Sequence, residues 1–151
     1  HFHLNWHGIH GAPHWARVCR NGKLLAELLP SVNLRIVRYF ALFHDFARRD
    51  DGADPGHGAR SVALLHQLGG AALLDMPDPE FIELCGAIEQ HSSAKNGGTI
   101  NQQVCWDADR LDLWRIQIMP DPDRLFTDAA KALHHDRLFG GYYKTGIHGS
   151  R

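Results

Sequence analysis

The chain has 151 residues, of which 44% are hydrophobic and 22% are charged, a composition that argues against disorder and fits one globular domain spanning 1–151. Its formal net charge of −1 argues against a nucleic-acid partner, although it leaves room for a local cationic pocket that binds a small phosphorylated compound. No apolar run approaches the ~20 residues of a membrane span, so we expect no membrane partner.

Two helices are predicted before residue 50. Pro13 fits the first turn of a helix that ends at Pro30, because proline is tolerated at a helix start but not in its interior. Ser31 is the predicted N-cap of a second helix, over 32–49. This second segment is apolar on nearly all sides, which indicates a buried central helix.

Two more helices follow a predicted loop. The segment 50–56 is dense in Gly, Pro and Asp, which favours a loop. A third helix over 57–68 is stopped by the two glycines at 69–70. The Asp-Pro pair at 78–79 fits an N-cap followed by proline at the first helical position, and the fourth helix continues to about His91.

The remaining segment predicts one clear helix and one weaker helix. Thr99 and Gln102 have the spacing of a capping box, which predicts a fifth helix that runs to about Ile116. The Asp-Pro pair at 121–122 predicts a sixth, weaker helix. The one strand candidate, 114–119, is short. The sequence therefore predicts a single all-α domain, a compact bundle of five to six helices.

Histidine is the unusual residue of this chain, with 12 copies. Candidate metal-binding side chains lie on or beside the predicted helices: His14 in HGAPHWARV, His44 and Asp45 in ALFHDFAR, His57 in DPGHG, His91 in IEQHSS and Asp109 in WDADRLDL. Imidazole nitrogens combined with carboxylate oxygens suit Mn, Fe, Co, Ni or Zn better than Mg or Ca. A hydrogen-bonded core histidine is the alternative for His14, but a His-Asp pair after an apolar helix is costly to bury unless a metal or another partner satisfies it.

The order of these motifs over about 10–112 resembles the HD superfamily of metal-dependent phosphohydrolases. HWARV resembles the first-helix motif of that superfamily, FHD resembles the second motif and ADRLD the last. The resemblance implies an all-α HD-type domain with its core at about 10–116, and a metal bound by His14, His44, Asp45 and Asp109. Asp107 is the alternative to Asp109, because two helix residues at that offset project differently and normally only one reaches a given metal.

His57 and His91 lie in the region where some superfamily members carry two further ligands for a second metal. The resemblance therefore makes them candidate ligands of a second metal, or catalytic groups that position water, protonate the leaving oxygen or contact phosphate. The chain departs from two subgroups: Ala47, Arg48 and Arg49 stand where alarmone hydrolases carry an acidic pair, and the sequence contains no GYP motif of cyclic-dinucleotide phosphodiesterases. It is more similar to small stand-alone bacterial members.

Two roles are considered for each of three further polar residues. Arg48, one turn beyond the HD pair, either stabilises a phosphoryl transition state or is a solvated charge at a helix end. His10, one turn before His14, is either a phosphate contact at the pocket mouth or an exposed loop residue. Arg17, three residues after His14, either clamps a phosphate or pairs with a carboxylate such as Asp109.

These observations predict a metal-dependent phosphohydrolase that hydrolyses a phosphate ester of a small molecule by attack of a metal-bound water, with a nucleotide as the favoured substrate. We expect one divalent transition metal (Mn, Fe, Co, Zn or Ni), with a second one as a further possibility. The alternative is a catalytically silent sensor domain that binds a metal or a nucleotide. Three cysteines without a CxxC pair favour a reducing, cytoplasmic setting, and the oligomeric state is left open.

Overall fold

The computed structural model describes residues 2–142, and within that range the chain is all-helical. Its α-helices are α1 (Ala12–Leu28), α2 (Leu34–Phe43), α3 (His57–Gln67), α4 (Gly70–Leu73), α5 (Asp78–Gln90), α6 (Ile100–Arg110) and α7 (Asp128–Phe139). Two short 3₁₀ helices, Leu113–Ile116 and Pro122–Arg124, connect α6 to α7. The predicted all-α bundle is confirmed. None of the described helices combines the length and the apolar character that a membrane crossing requires.

Helix α2 is the centre of the bundle and packs against α1, α5 and α6. Its residues Ile36, Val37 and Phe40 have no solvent exposure, so one face is buried as predicted, whereas Arg35, Arg38 and Leu42 are exposed. The contact with α1 is close enough to require glycine, because a Cβ atom at Gly22 would lie 2.2 Å from Val37 Cγ1. The bundle therefore brings the ends of α1, α2 and α6 together with little room for adjustment.

Helix α2 is shorter than predicted at both ends. Asn33, not Ser31, is its N-cap, and its side chain accepts a hydrogen bond from the N–H of Arg35 at 3.0 Å. The helix ends at Phe43 rather than at residue 49, and the N–H of Ala47 donates to the hydroxyl of Ser61 in α3 instead of continuing the helix. The His-Asp pair therefore lies on the turn that follows α2.

The next helices agree closely with the sequence, since α3 ends at Gln67 and α5 at Gln90, each one residue before its predicted end. The loop at 50–56 and the helix start at His57 are confirmed. Asp78 is the first residue of α5 rather than its N-cap, which is Pro77. The capping box of α6 is confirmed, with Thr99 accepting from the N–H of Gln102.

The region after α6 contains most of the wrong predictions. Helix α6 ends at Arg110 rather than at Ile116, and the strand candidate at 114–119 is wrong because a 3₁₀ helix occupies its first half. The Asp-Pro pair at 121–122 begins only a single 3₁₀ turn. The long helix α7 was not predicted; it begins after Thr127, whose hydroxyl accepts from the N–H of Ala130 at 3.1 Å.

Candidate metal centre

Five helices bring the candidate ligands to one place in the bundle. His14 lies on α1, His44 and Asp45 follow α2, His57 begins α3, His91 follows α5, and Asp109 lies in the last turn of α6. The four histidines and Asp45 are buried, with at most 3% of each residue exposed. Side chains that are distant in sequence thus meet in the interior, where an unsatisfied polar group is costly.

The first cluster, here called the His14 group, consists of His14, His44 and Asp45. The Nε2 atoms of the two imidazoles are 3.0 Å apart, and Asp45 Oδ2 lies 3.6 Å from each of them. Asp109 Oδ1 approaches the same atoms, at 3.3 Å from His14 Nε2 and 3.8 Å from His44 Nε2. The structure therefore places Asp109 beside this group, as the sequence analysis expects of a fourth ligand.

The second cluster, here called the His57 group, consists of Asp45, His57 and His91. The Nε2 atoms of its two imidazoles are 2.8 Å apart. Asp45 Oδ1 lies 3.3 Å from His57 Nε2 and 3.7 Å from His91 Nε2. The carboxylate of Asp45 thus turns one oxygen toward each cluster and is shared between them.

The orientation of the four imidazoles is fixed by what their Nδ1 atoms contact. Three face backbone carbonyl oxygens: His44 that of Phe40, His57 that of Asp54 and His91 that of Ile88. The fourth, His14 Nδ1, faces the carboxylate oxygen Oδ2 of Asp112 at 2.7 Å. Because a carbonyl or carboxylate oxygen can only accept, a proton lies on Nδ1 in each ring, and Nε2 is the atom left to bind a metal or a second proton.

This donor set fits a bound divalent transition metal. In each cluster two Nε2 lone pairs and a carboxylate oxygen converge, an arrangement that repels itself unless a proton or a cation lies between them. Asp45 Oδ1 is buried and has no hydrogen-bond partner among the described residues. Two neighbouring ligands at right angles around a metal, with bonds of about 2.1 Å, are about 3.0 Å apart, close to the measured Nε2 separations. The buried histidine and aspartate groups can therefore hold a metal ion.

The electrostatics of the carboxylates favour their ionised form. Burial raises the pKa of Asp45, but the facing imidazoles of His44, His57 and His91 outweigh burial and hold that pKa well below its usual value. Asp109 behaves in the same way: despite burial, its pKa is lowered by the hydrogen bond to His14 and by the charge of nearby histidines. Both carboxylates are therefore charged at neutral pH and attract a cation.

The imidazoles differ in how readily they take a proton. Burial lowers the pKa of His44 to about 4, so this ring is neutral at pH 7. Burial also lowers the pKa of His14 and His91, but hydrogen bonds to carboxylates outweigh it and the pKa of each ends above the usual value. A metal that binds His14 or His91 must therefore displace a proton near neutral pH.

The structure distinguishes Asp109 from its alternative Asp107. Both oxygens of Asp107 are occupied: Oδ1 accepts from the N–H of Phe126 at 2.7 Å, and Oδ2 accepts from the N–H and the hydroxyl of Thr127 at 2.9 and 2.8 Å. These bonds attach α6 to the start of α7. Asp107 is therefore engaged in holding the fold, whereas Asp109 faces the imidazoles of the His14 group.

Asp112 is a further residue of the site, beside those that the sequence analysis names. Its Oδ2 accepts from His14 Nδ1 at 2.7 Å, and its Oδ1 accepts from Arg17 Nε at 2.7 Å. Arg17 thus pairs with a carboxylate, one of its two predicted roles, but with Asp112 rather than Asp109. The signal that could have found Asp112 is its spacing, since it lies three residues after Asp109 and so on the same side of a continuing helix.

A cavity of about 820 Å³ opens beside Asp45, His57, His91 and Asp109, a size within the usual range for a small-molecule site. Its lining includes the cationic side chains of Arg48, Lys95, Arg110, Arg115 and Arg124. One wall is apolar, formed by Leu113, Ile116, Ile118 and Met119. The cavity therefore combines a candidate metal centre, positive charge and an apolar surface.

His10 and Arg48, two of the predicted contact residues, also line this cavity. His10 is buried, and its Nδ1 bonds Asp51 Oδ1 at 2.8 Å, so it is not the exposed loop residue of the alternative reading. Arg48 is held by the loop that follows it: its Nε donates to the carbonyl of Asp50 at 3.0 Å and its second guanidinium nitrogen to that of Gly52 at 2.7 Å.

No protein-family model, curated protein or solved structure matches the chain. Membership of the HD superfamily therefore stays a prediction from the order of the motifs. The geometry of the candidate metal centre and of the cavity beside it is compatible with a metal-dependent hydrolase.

Proposed function

We propose that the protein is a metal-dependent phosphohydrolase of the HD type that hydrolyses a phosphate ester of a small molecule, with a nucleotide as the favoured substrate. The main support is the buried carboxylate of Asp45, which turns one oxygen toward each pair of imidazoles at the inner end of a ligand-sized cavity. A carboxylate that is shared by two pairs of histidines offers more atoms that can bind metal than hydrogen bonding within the fold alone would require.

His14, His44, Asp45 and Asp109 would hold the first metal, and His57 and His91 would hold a second one together with Asp45. The mixed set of nitrogen and oxygen ligands suits Mn, Fe, Co, Zn or Ni. A metal in this position lowers the pKa of a bound water and neutralises charge that develops on a phosphoryl oxygen.

The cationic residues of the cavity would bind and orient the phosphate. Arg48 has one guanidinium nitrogen 3.5 Å from Asp45 Oδ1, so its charge lies next to the position where a phosphoryl group would meet the metal centre. A guanidinium held in place by two carbonyl oxygens can stabilise charge on that group without first having to be ordered. Lys95 and Arg124 line the cavity and would attract an anionic substrate.

His10 is better suited to bind a water or a hydroxyl group than to make the phosphate contact that the sequence analysis suggests. Burial lowers the pKa of His10, and Asp51 accepts from its Nδ1, so the neutral ring presents an Nε2 lone pair. A lone pair accepts a hydrogen bond from a water or a hydroxyl group, whereas it repels a phosphate oxygen. His10 would therefore orient a water or a substrate hydroxyl at the cavity.

The apolar wall favours a substrate with an apolar or aromatic part beyond its phosphate. Ile118 and Met119 are 51% and 41% exposed, although both line the cavity. A nucleoside would cover such a surface with its base while the phosphate faces the metal centre. This arrangement supports a nucleotide over a simple sugar phosphate.

The test uses Asp45→Asn, which keeps the shape of the side chain and removes the charge that both groups share. We expect the wild-type protein, purified without a nickel column and loaded with Mn, Fe, Co, Zn or Ni, to retain metal and to release phosphate from members of a phosphate-ester panel. The panel contains nucleoside mono-, di- and triphosphates, cyclic nucleotides and sugar phosphates. The variant should lose both properties and keep its helical circular dichroism spectrum.

Asp136→Asn is the matched control, because it makes the same chemical change on a side chain that is 82% exposed. It should retain metal and activity. Full activity of Asp45→Asn would overturn the proposal. Binding of metal and nucleotide by the wild type without turnover of any ester would favour the catalytically silent sensor instead.

A further inference from the structure

We propose that the two groups bind metal unequally, and that Arg48 is the residue that weakens the His57 group. This inference rests on the proposed function only in that both require a metal at these residues. It concerns how firmly each group holds its metal, which the order of the motifs does not specify.

The His57 group has a cation of its own in the structure. One guanidinium nitrogen of Arg48 lies 3.3 Å from His57 Nε2 and 3.4 Å from His57 Nδ1, and the same nitrogen lies 3.5 Å from Asp45 Oδ1. A metal bound to His57 Nε2 at about 2.1 Å would lie within about 5.4 Å of that nitrogen. Two cations at that separation in a largely buried site repel each other strongly. The positive charge of Arg48 therefore opposes the binding of a metal at this group.

The guanidinium on the other side of the centre is arranged differently. Arg17 bonds Asp112, which in turn bonds His14 Nδ1, so this positive charge lies behind the ring and not in front of its Nε2 atom. The carboxylate of Asp112 fixes the ring orientation and increases the electron density at Nε2, as in the carboxylate–histidine–metal arrangements of many metalloproteins. The His14 group therefore has a supporting carboxylate where the His57 group has a competing cation.

The number of available ligands points the same way. Asp109 Oδ1 lies 3.3 Å from His14 Nε2 and adds a second negative charge to the His14 group. The His57 group has Asp45 as its one carboxylate among the residues that form it. More carboxylate charge and less competition both increase affinity for a divalent cation. We therefore expect the first metal to bind at the His14 group and the second to bind more weakly at the His57 group.

The experiment is a Mn²⁺ titration of metal-free protein, with free Mn²⁺ counted by electron paramagnetic resonance. The wild type should bind one Mn²⁺ tightly and a second one at least tenfold more weakly. Arg48→Met, which removes the charge and keeps much of the side-chain volume, should tighten the second step at least tenfold and leave the first nearly unchanged. Arg48→Lys keeps a positive charge and should leave the second step weak.

Arg49→Met is the matched control, because it changes the net charge of the chain by the same amount at an exposed neighbouring residue. It should leave both steps as in the wild type. Circular dichroism and the unfolding temperature check that each variant is folded. Arg48→Lys replaces the guanidinium group but keeps the positive charge, so its comparison with Arg48→Met tests the charge itself.

Three results would overturn the inference. Two equally tight sites in the wild type would contradict the unequal groups, and an Arg49→Met effect equal to that of Arg48→Met would contradict a local role of Arg48. A second step that Arg48→Met leaves unchanged would do the same. In each of these cases metal is bound and the phosphohydrolase proposal stands, whereas a wild-type protein that binds no metal would overturn both.

Discussion

Asp107 and Asp109 lie two residues apart in α6, and their surroundings contrast sharply. Asp107 belongs to the corner between α6 and α7, where three N–H and O–H donors of Phe126 and Thr127 occupy its two oxygens. Asp109 belongs to the candidate metal centre, where its Oδ1 faces the Nε2 atoms of two histidines. An offset of two residues turns a side chain by about 200° around a helix, so one helix supplies both environments.

The pKa values of the two carboxyl groups follow this contrast. Burial raises the pKa of Asp107, and its hydrogen bonds offset burial only in part. The pKa of Asp109 is lowered, because the hydrogen bond to His14 and the nearby imidazole charges outweigh its burial. The comparison teaches that a carboxylate whose oxygens are filled by backbone and hydroxyl donors holds the fold together, whereas one that faces imidazole nitrogens can exchange their protons for a metal ion.

The largest expected effect is on stability, at Asp107. Asp107→Ala would leave the buried N–H groups of Phe126 and Thr127 without an acceptor, and we expect the metal-free protein to lose about 3 kcal/mol of unfolding free energy. Urea unfolding followed by circular dichroism measures this loss. Metal affinity of the folded variant should stay close to the wild-type value, and a loss of stability below about 1 kcal/mol would show that the corner is not held by Asp107.

The next effect is on metal binding, at Asp109. Asp109→Asn removes a charged ligand from the His14 group, and we expect the affinity for the first metal to fall at least 100-fold, or about 2.7 kcal/mol. The unfolding free energy of the metal-free protein should change by less than about 1 kcal/mol, because asparagine keeps the shape of the side chain. Competition with a chelator of known affinity measures the first quantity. If Asp107→Asn weakened metal binding more than Asp109→Asn, the two roles would be reversed.

Some features of the structure could be predicted from the sequence because they depend on local signals. The capping box at Thr99 and Gln102 and the proline near the start of α1 are local signals, and both predict the structure correctly because they depend on neighbouring residues only. The convergence of His14 and His44 followed from a resemblance in motif order rather than from spacing. Their actual separation depends on the close packing of α1 against α2 at Gly22.

The parts that could not be predicted depend on contacts between distant segments. The choice between Asp107 and Asp109 is decided by the donors at Phe126 and Thr127, in a corner for which the sequence gives no local signal. Helix α7 has few buried residues and a weak apolar face, so its periodicity is poor. The role of Asp112 likewise emerges only when α1 is placed beside α6, since His14 and Asp112 are 98 residues apart.

A change of pH is expected to have a smaller effect, and to act on the candidate metal centre rather than on the corner at Asp107. The pKa values of His14 and His91 are raised above the usual value of 6.5. Their protonation therefore adds to the unfolding free energy of the metal-free protein below pH 6.5, and this contribution is lost as the pH rises through their folded pKa values. Metal competes with those protons, so we expect the affinity for metal to rise several-fold as the pH is raised from 6 to 7.

Mn²⁺ titrations at several pH values test this expectation, and proton release on binding gives a second readout. His44 acts in the opposite direction on the stability of the metal-free protein. Its pKa of about 4 means that its contribution is present above pH 6.5 and is lost as pH falls toward 4. An affinity that is independent of pH between 6 and 7 would contradict proton competition at His14 and His91.

The smallest effect is expected at Thr127, which caps α7 and also donates to Asp107. Thr127→Val keeps the side-chain shape and removes the hydroxyl, so α7 loses its N-cap and we expect a loss of about 1 kcal/mol of unfolding free energy with no change in metal affinity. Because one hydrogen bond joins the side chains of Thr127 and Asp107, the double variant Asp107→Ala/Thr127→Val should lose less than the sum of the single losses. Full additivity in urea unfolding would mean that the two side chains stabilise the corner independently, and the carboxylate would then act through the backbone N–H groups alone.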